Sequence, residues 1–175
     1  MTKKDLAEAI ADEFGVQYSP DGKRLLEAPR WGLKIDKVAS YTVKPGVLCI
    51  CDSAFDDCDF PECILLPDSV TSIGFSAFGG CRSLKSIAIP DSVTRIGAVA
   101  FEGCESLKEI TIPDGVTHIG VAAFLGCSSL ECIAIPNSIT YIGYYTFGGC
   151  SSLANIAILG SVTRIDCRAF CGCES

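Results

Sequence analysis

From residue 44 onward, apolar and polar positions recur with a period of 23 residues. Set out in lines of that length, Ile50, Ile73, Ile96, Ile119, Ile142 and Ile165 share one column, and Phe55, Phe78, Phe101, Phe124, Phe147 and Phe170 share another. Val47, Val70, Val93, Val116, Ile139 and Val162 make a third, and Cys58, Cys81, Cys104, Cys127, Cys150 and Cys173 a fourth. Ala54, Ala77, Ala100, Ala123 and Ala169 precede the phenylalanines, with Thr146 the exception. Leu84, Leu107, Leu130 and Leu153 open a short apolar stretch that continues through Ile64, Ile87, Ile110, Ile133 and Ile156 and then Leu66, Ile89, Ile112, Ile135 and Ile158. A fixed period of about 20 to 50 residues signals stacked supersecondary units, one per period.

The columns translate into local geometry. Leu107-Lys-Glu-Ile-Thr-Ile112 has the spacing L-x-x-I-x-I, the strand portion of a leucine-rich repeat. Alternate strand side chains share a face, so Ile110 and Ile112 point inward while Glu109 and Thr111 point out. Pro113-Asp114 ends the strand, because proline donates nothing to a ladder and pre-sets a turn. Val116-Thr-His-Ile119 is a second short extended piece, and Gly120 is expected to supply a backbone angle open only to glycine. Residues 121–124 are too few for a helix and predict a tight turn that drops Phe124 into the core. Each unit carries apolar side chains that only its neighbours can bury, so the core is a continuous column stabilised by nearest-neighbour terms. The expected architecture is a repeat solenoid: a leucine-rich-repeat-like, right-handed, β-rich coil with one short strand ladder per repeat and a small α/β N-terminal cap. Residues 1–43 form that cap, and residues 44–175 hold six repeats, the last incomplete.

The unit Ile89-Pro-Asp-Ser-Val-Thr-Arg-Ile-Gly-Ala-Val-Ala-Phe-Glu-Gly-Cys-Glu-Ser-Leu107 and its copies resemble the BspA-like leucine-rich repeats. The resemblance covers residues 44–175. It implies the fold, and it implies a non-catalytic adhesion or protein-recognition module of surface and secreted proteins in host-associated microbes. Its implied partners are proteins, such as host matrix or cell-surface proteins. It brings no catalytic residues to carry over.

Residues 1–43 follow another pattern. Leu6, Ile10 and Phe14, with Ala7 and Ala11 beside them, predict a short amphipathic helix over residues 2–14, with Thr2 as N-cap and Gly15 ending it. Lys3, Lys4, Asp5, Glu8, Asp12 and Glu13 lie on its wet side. Those acids outnumber the lysines, which argues against binding of that helix to anionic lipid. Val16-Gln-Tyr18 and Lys23-Arg-Leu-Leu26 flank Ser-Pro-Asp-Gly, the signal of a β-hairpin. BspA-like proteins carry a similar D-G-K-x-L-L segment ahead of a repeat run, which marks the hairpin as part of a cap with Trp31 packed under it. At the other end, Leu159 replaces proline, Asp166 replaces glycine, and no polar capping repeat follows. Two readings stand: a fragment of a longer protein, or an open edge that joins another chain.

Composition narrows the function. A net charge of −7 argues against a nucleic-acid partner, which requires a basic face. No run of about 18 apolar residues exists to insert in a membrane. Residues 1–20 lack the apolar segment of a signal peptide, whereas the resemblance implies a surface location. The periodic cysteines take one inward position as small hydrophobes, and reduced thiols are expected rather than a disulfide framework. Cys63 and Cys132 lie three periods apart, about 15 Å at strand spacing and beyond bridging reach. Cys49-x-Cys51 and Cys171-x-Cys173 lack the spacing of a zinc site, and no cofactor is expected. His118 is the one histidine, with Arg95 above and Tyr141 below it in its column, so catalysis has no partner set.

A recognition surface is expected where the columns vary. One candidate is the outward strand face, including Ser86, Ala88, Glu109, Thr111, Cys132 and Ala134, flanked by Lys85, Lys108 and Glu131. The other is the edge carrying Arg95, His118, Tyr141 and Arg164 together with Tyr144 and Tyr145, residue types enriched at binding hot spots. The alternative in another class is a structural spacer or self-assembling segment, whose open C-terminal edge joins another chain.

Overall fold

The computed structural model describes residues 8–29, 39–59, 61–158 and 160–174. Repeats stack as a β-solenoid in which each coil adds short parallel strands to its neighbours. One ladder runs through Arg24–Glu27, Cys49–Ile50, Ser72–Ile73, Arg95–Ile96 and His118–Ile119. A second runs through Ser40–Thr42, Cys63–Leu65 and Ser86–Ala88. The short extended piece at His118–Ile119 is thus a rung of its own ladder, so a coil contributes to two ladders rather than one. In the later coils Cys132–Ile135 pairs with Asn155–Ile158, and Tyr141–Ile142 with Arg164–Ile165.

The period sets the register. Ile50 pairs with Ile73, Ile73 with Ile96, and Ile96 with Ile119, so like residues sit over like. The phenylalanines stack with centroids 5.2 to 5.5 Å apart, from Phe55 through Phe147 to Phe170. Phe55 to Phe147 are wholly buried. Residues 121–124 form the predicted turn, and Ala122 there has φ of 54°. The same left-handed turn position is held by Ser53, Ser76, Val99, Tyr145 and Arg168.

Gly120 serves a different purpose from the one expected. Its φ is not left-handed; instead a Cβ there would lie 2.3 Å from the Ala98 nitrogen of the preceding coil. At Gly74, Gly97 and Gly120 the residue is glycine because coils approach backbone to backbone. The stretch 107–112 also departs from expectation. Ile110 and Ile112 are buried and Glu109 and Thr111 exposed as predicted, but ladder pairing there shrinks to one bridge, Glu109 to Cys132.

The periodic cysteines do more than fill space. Cys81, Cys104, Cys127 and Cys150 each donate a thiol hydrogen to the carbonyl of the phenylalanine 26 residues earlier, at 3.1 to 3.2 Å. Cys173 does the same toward Phe147. Burial pushes these thiols up, Cys150 to about 12. Serine and threonine columns act similarly: Ser92 Oγ donates to the Val70 carbonyl at 2.6 Å, and Thr94 Oγ1 to the Thr71 carbonyl at 3.3 Å.

The predicted N-terminal helix is not present over residues 8–14, and residues 2–7 lie outside the described residues. Ile10–Ala11 is instead a strand, antiparallel to Gln17–Tyr18, and Ile10 is 54% exposed rather than buried. A turn at Asp12 overrides the helical pattern. Asp12 Oδ1 accepts the amide hydrogens of Phe14 and Val16, and Gly15 has φ of 82°. A lone turn or two of helix is marginal in water, so this locally satisfied reversal wins. The cap is therefore all β among the described residues. The expected hairpin forms, Gln17–Tyr18 against Arg24–Glu27, and Arg24–Glu27 seeds the first ladder. Asp12 also ties the cap to the stack, since Tyr41 donates its hydroxyl hydrogen to Oδ2 at 2.6 Å and shares a hydrogen bond with Tyr18. Through Phe14 and Tyr41 the aromatic column reaches Phe55. Trp31 lies outside the described residues.

Candidate functional site

Two surfaces follow from the coil geometry. On the second ladder, small side chains point outward from Ser86, Ala88, Thr111, Cys132 and Ala134, with Glu109 among them, and all six are exposed. Alternation puts them on the opposite face from Ile87, Ile110 and Ile133, which are buried. Strand pairing lapses between Ser86–Ala88 and residues 109–111 among the described residues, and a shallow cleft of about 420 Å³ opens there. Cys63 and Leu65 continue its wall, and Leu65 is 45% exposed. A second cleft of about 300 Å³ follows, lined by Glu109, Thr111, Cys132, Ala134, Asn155 and Ala157. All six candidates of the sheet face thus lie together on one surface. Lys85 and Lys108 flank it, each paired with a carboxylate one coil away, Glu62 at 2.8 Å and Glu131 at 3.9 Å. These pairs are exposed, so they orient side chains more than they stabilise.

The second surface follows the first ladder. Arg95 and His118 are register partners, and so are Tyr141 and Arg164. Between His118 and Tyr141 the pairing lapses among the described residues, and a Cβ on Gly143 would meet nothing closer than 3.5 Å. The four residues are therefore one column but two separate pairs. Tyr141 donates its hydroxyl hydrogen to Asp166, which Arg164 also meets at 2.9 Å while lying over the Tyr141 ring. The Tyr141 hydrogen bond holds the Asp166 carboxyl below its usual range.

Tyr144 and Tyr145 pack edge to face, with centroids 4.5 Å apart. Arg168 donates to both hydroxyls, at 3.3 and 3.1 Å. The three tyrosines are thus divided between two networks, one built on Asp166 and one on Arg168. Asp166 and Arg168 were missed as site residues, although the period points to them: they stand 23 residues after Gly143 and Tyr145. Among the described residues no cluster of three or more His, Cys, Asp or Glu could hold a metal ion.

Comparison with known proteins places these surfaces on a recognised scaffold. The model of the BspA type leucine rich repeat region matches residues 49–175, in six copies. A leucine rich cell surface protein of Faecalibacterium prausnitzii A2-165 is 36% identical, with a TM-score of 0.78 over 88% of this chain and 40% of that one. A leucine-rich repeat protein of Bacteroides ovatus ATCC 8483 is 35% identical, with a TM-score of 0.78 over 94% of this chain and 41% of that one. The pneumococcal vaccine antigen PcpA is 26% identical, with a TM-score of 0.69 over 90% of this chain and 36% of that one. The chain thus spans about two fifths or less of the length of these three proteins. No curated protein gives a significant match.

Proposed function

The chain belongs to the BspA-type leucine-rich repeat family, and from that premise we propose that it is a non-catalytic protein-recognition module acting in adhesion, with a host matrix or cell-surface protein as ligand. The observation that carries this reading is the outward face of the second ladder. Its side chains are so short that a partner can approach the backbone, and its two clefts give that face relief. The cell-surface description of the Faecalibacterium relative supports the setting. The Tyr144–Tyr145–Arg168 group is the second contact region: its rings are held in place before binding, which lowers the ordering cost of an aromatic anchor.

The test is capture from extracellular-matrix and cell lysates with the wild type and two variants. One combines Ala88→Glu, Thr111→Lys and Ala134→Glu; the other combines Tyr141→Ala, Tyr144→Ala and Tyr145→Ala. A ligand retained by wild type and lost with the sheet-face variant supports the reading. A ligand lost only with the tyrosine variant moves the site to the first ladder. Absence of any captured ligand overturns the proposal.

A further inference from the structure

The repeat accounts for the six periodic cysteines, five bonded to phenylalanine carbonyls and Cys58 to the Pro29 carbonyl, and it accounts for neither Cys49 nor Cys51. Cys49 stands in a column otherwise occupied by Ser72, Arg95, His118, Tyr141 and Arg164. Cys51 stands in the column of Gly74, Gly97, Gly120, Gly143 and Asp166. A side chain is excluded at Gly74 because its Cβ would lie 2.6 Å from the Asp52 nitrogen. At Cys51 the preceding coil is the hairpin strand Arg24–Glu27, so a thiol fits where the coils of Gly74, Gly97 and Gly120 admit no side chain.

Ile50 between the two cysteines is buried, so Cys49 and Cys51 project together from the opposite face. Both are half-buried and open to solvent. Cys49 lies in register between Arg24 and Ser72 on the neighbouring coils, and its thiol interacts electrostatically with that of Cys51.

We propose that Cys49 and Cys51 form a thiol–disulfide exchange site that takes low-molecular-weight disulfides of the glutathione type. The Cys49 thiolate attacks one sulfur of the incoming disulfide, and the other leaves as a thiolate that takes up a proton. Cys51 then gives up its proton and attacks the Cys49 sulfur of the mixed disulfide, releasing the second small thiol. Two protein thiols are oxidised to one Cys49–Cys51 bridge, and one small disulfide is reduced to two thiols. Residues two apart on a strand place their Cα atoms about 6.6 Å apart, at the upper end of bridging distance. Such a bridge is strained and readily reversed, as an exchanging pair requires.

Electrostatics agrees with the order of attack. The hydrogen bond from Cys51 pulls the Cys49 thiol down to about 6, and the same contact pushes Cys51 up. The pair sheds its first proton easily and its second with difficulty. Near pH 6 the gain in thiolate outweighs the loss of intrinsic nucleophilicity, for a net advantage over an ordinary thiol of about tenfold.

The test uses the full chain. Limiting iodoacetamide at pH 6, followed by peptide mass spectrometry, is expected to label Cys49 about tenfold faster than Cys132, Cys167 or Cys171. With oxidised glutathione, wild type should end with an internal bridge and no bound glutathione. The Cys51→Ala variant should retain one glutathione on Cys49, and Cys49→Ser should lose the reaction at this site. Serine occupies the Cys49 column one coil later, so that variant suits the coil, and the alkylation of wild type needs no variant. Faster labelling of Cys132, Cys167 or Cys171, or no mixed disulfide on Cys49 in Cys51→Ala, overturns the proposal.

Discussion

Cys127 donates its thiol hydrogen to the carbonyl of Phe101, 26 residues earlier, at 3.2 Å. The donor belongs to one coil and the acceptor to the coil before it, so the bond crosses the stacking interface. Cysteine suits the position because its sulfur is compact and apolar enough for the core yet still offers a weak donor.

Replacing Cys127 with alanine removes that bond and leaves a small void. The expected cost is about 1–2 kcal/mol. The same substitution at exposed Cys132 is expected to stay within about 0.5 kcal/mol. Urea unfolding of the two variants beside wild type measures the contrast, and equal midpoints would remove the structural role assigned to the cysteine column.

The buried thiols also make stability depend on pH at the alkaline end. Burial holds Cys150 protonated to about 12 in the folded chain, against an ordinary value of 9.0 when exposed. Between these values the folded state binds more protons than the unfolded one, so the free energy of unfolding falls as pH rises. The contribution is complete below pH 9 and is lost progressively from there toward pH 12. Cys81, Cys104 and Cys127 shift in the same direction. Chemical unfolding at stepped pH should give a falling curve above pH 9, with a shallower slope in Cys127→Ala.

Two glycines of one column should respond differently to alanine. At Gly120 the added Cβ meets the Ala98 backbone at 2.3 Å, and the backbone cannot yield without parting the coils. We expect a loss of about 2 kcal/mol or more. At Gly143 the nearest atom is 3.5 Å away, and alanine there should be neutral or raise stability by about 0.5 kcal/mol through the unfolded state. Thermal melts of both variants test this, and similar losses at both sites would contradict the looser coil contact before Tyr141.

Val99 holds a left-handed backbone angle, φ 50°, that a β-branched residue adopts at a cost of about 1–2 kcal/mol. Asparagine tolerates this region, and Ser53 and Ser76 show that polar side chains fit the column. Val99→Asn should therefore raise the melting temperature, with a stabilisation of about 1 kcal/mol. A lower melting temperature would show that the partial burial of Val99 outweighs its backbone strain.

The repeat positions were legible because each inward column has one environment, repeated. Phe101 must fit between Phe78 and Phe124, so its identity reports its contacts directly. The two recognition surfaces were legible only as columns that vary. Arg95 and His118 pair as their column suggests, yet His118 and Tyr141 do not, because the coil contact loosens at Gly143. Arg168 and Asp166 stand at the right period, but a charge in a turn column gives no sign of its partner until Tyr145 and Tyr141 are placed beside it.

The 23-residue period by itself determined that coils stack, which side chains face inward, and that phenylalanine lies over phenylalanine, since a residue buried between copies of itself has few alternatives. Tertiary structure alone decided the rest. It replaced the helix around Ile10 with a strand, because Asp12 and Gly15 reverse the chain and Tyr41 holds Asp12 from 29 residues away. It opened a cleft beside Ser86 and Ala88 where ladder pairing lapses, and it set Cys49 between Arg24 and Ser72 above a hairpin strand. These features rest on contacts outside the period, and a repeating pattern carries no information about a contact that occurs once.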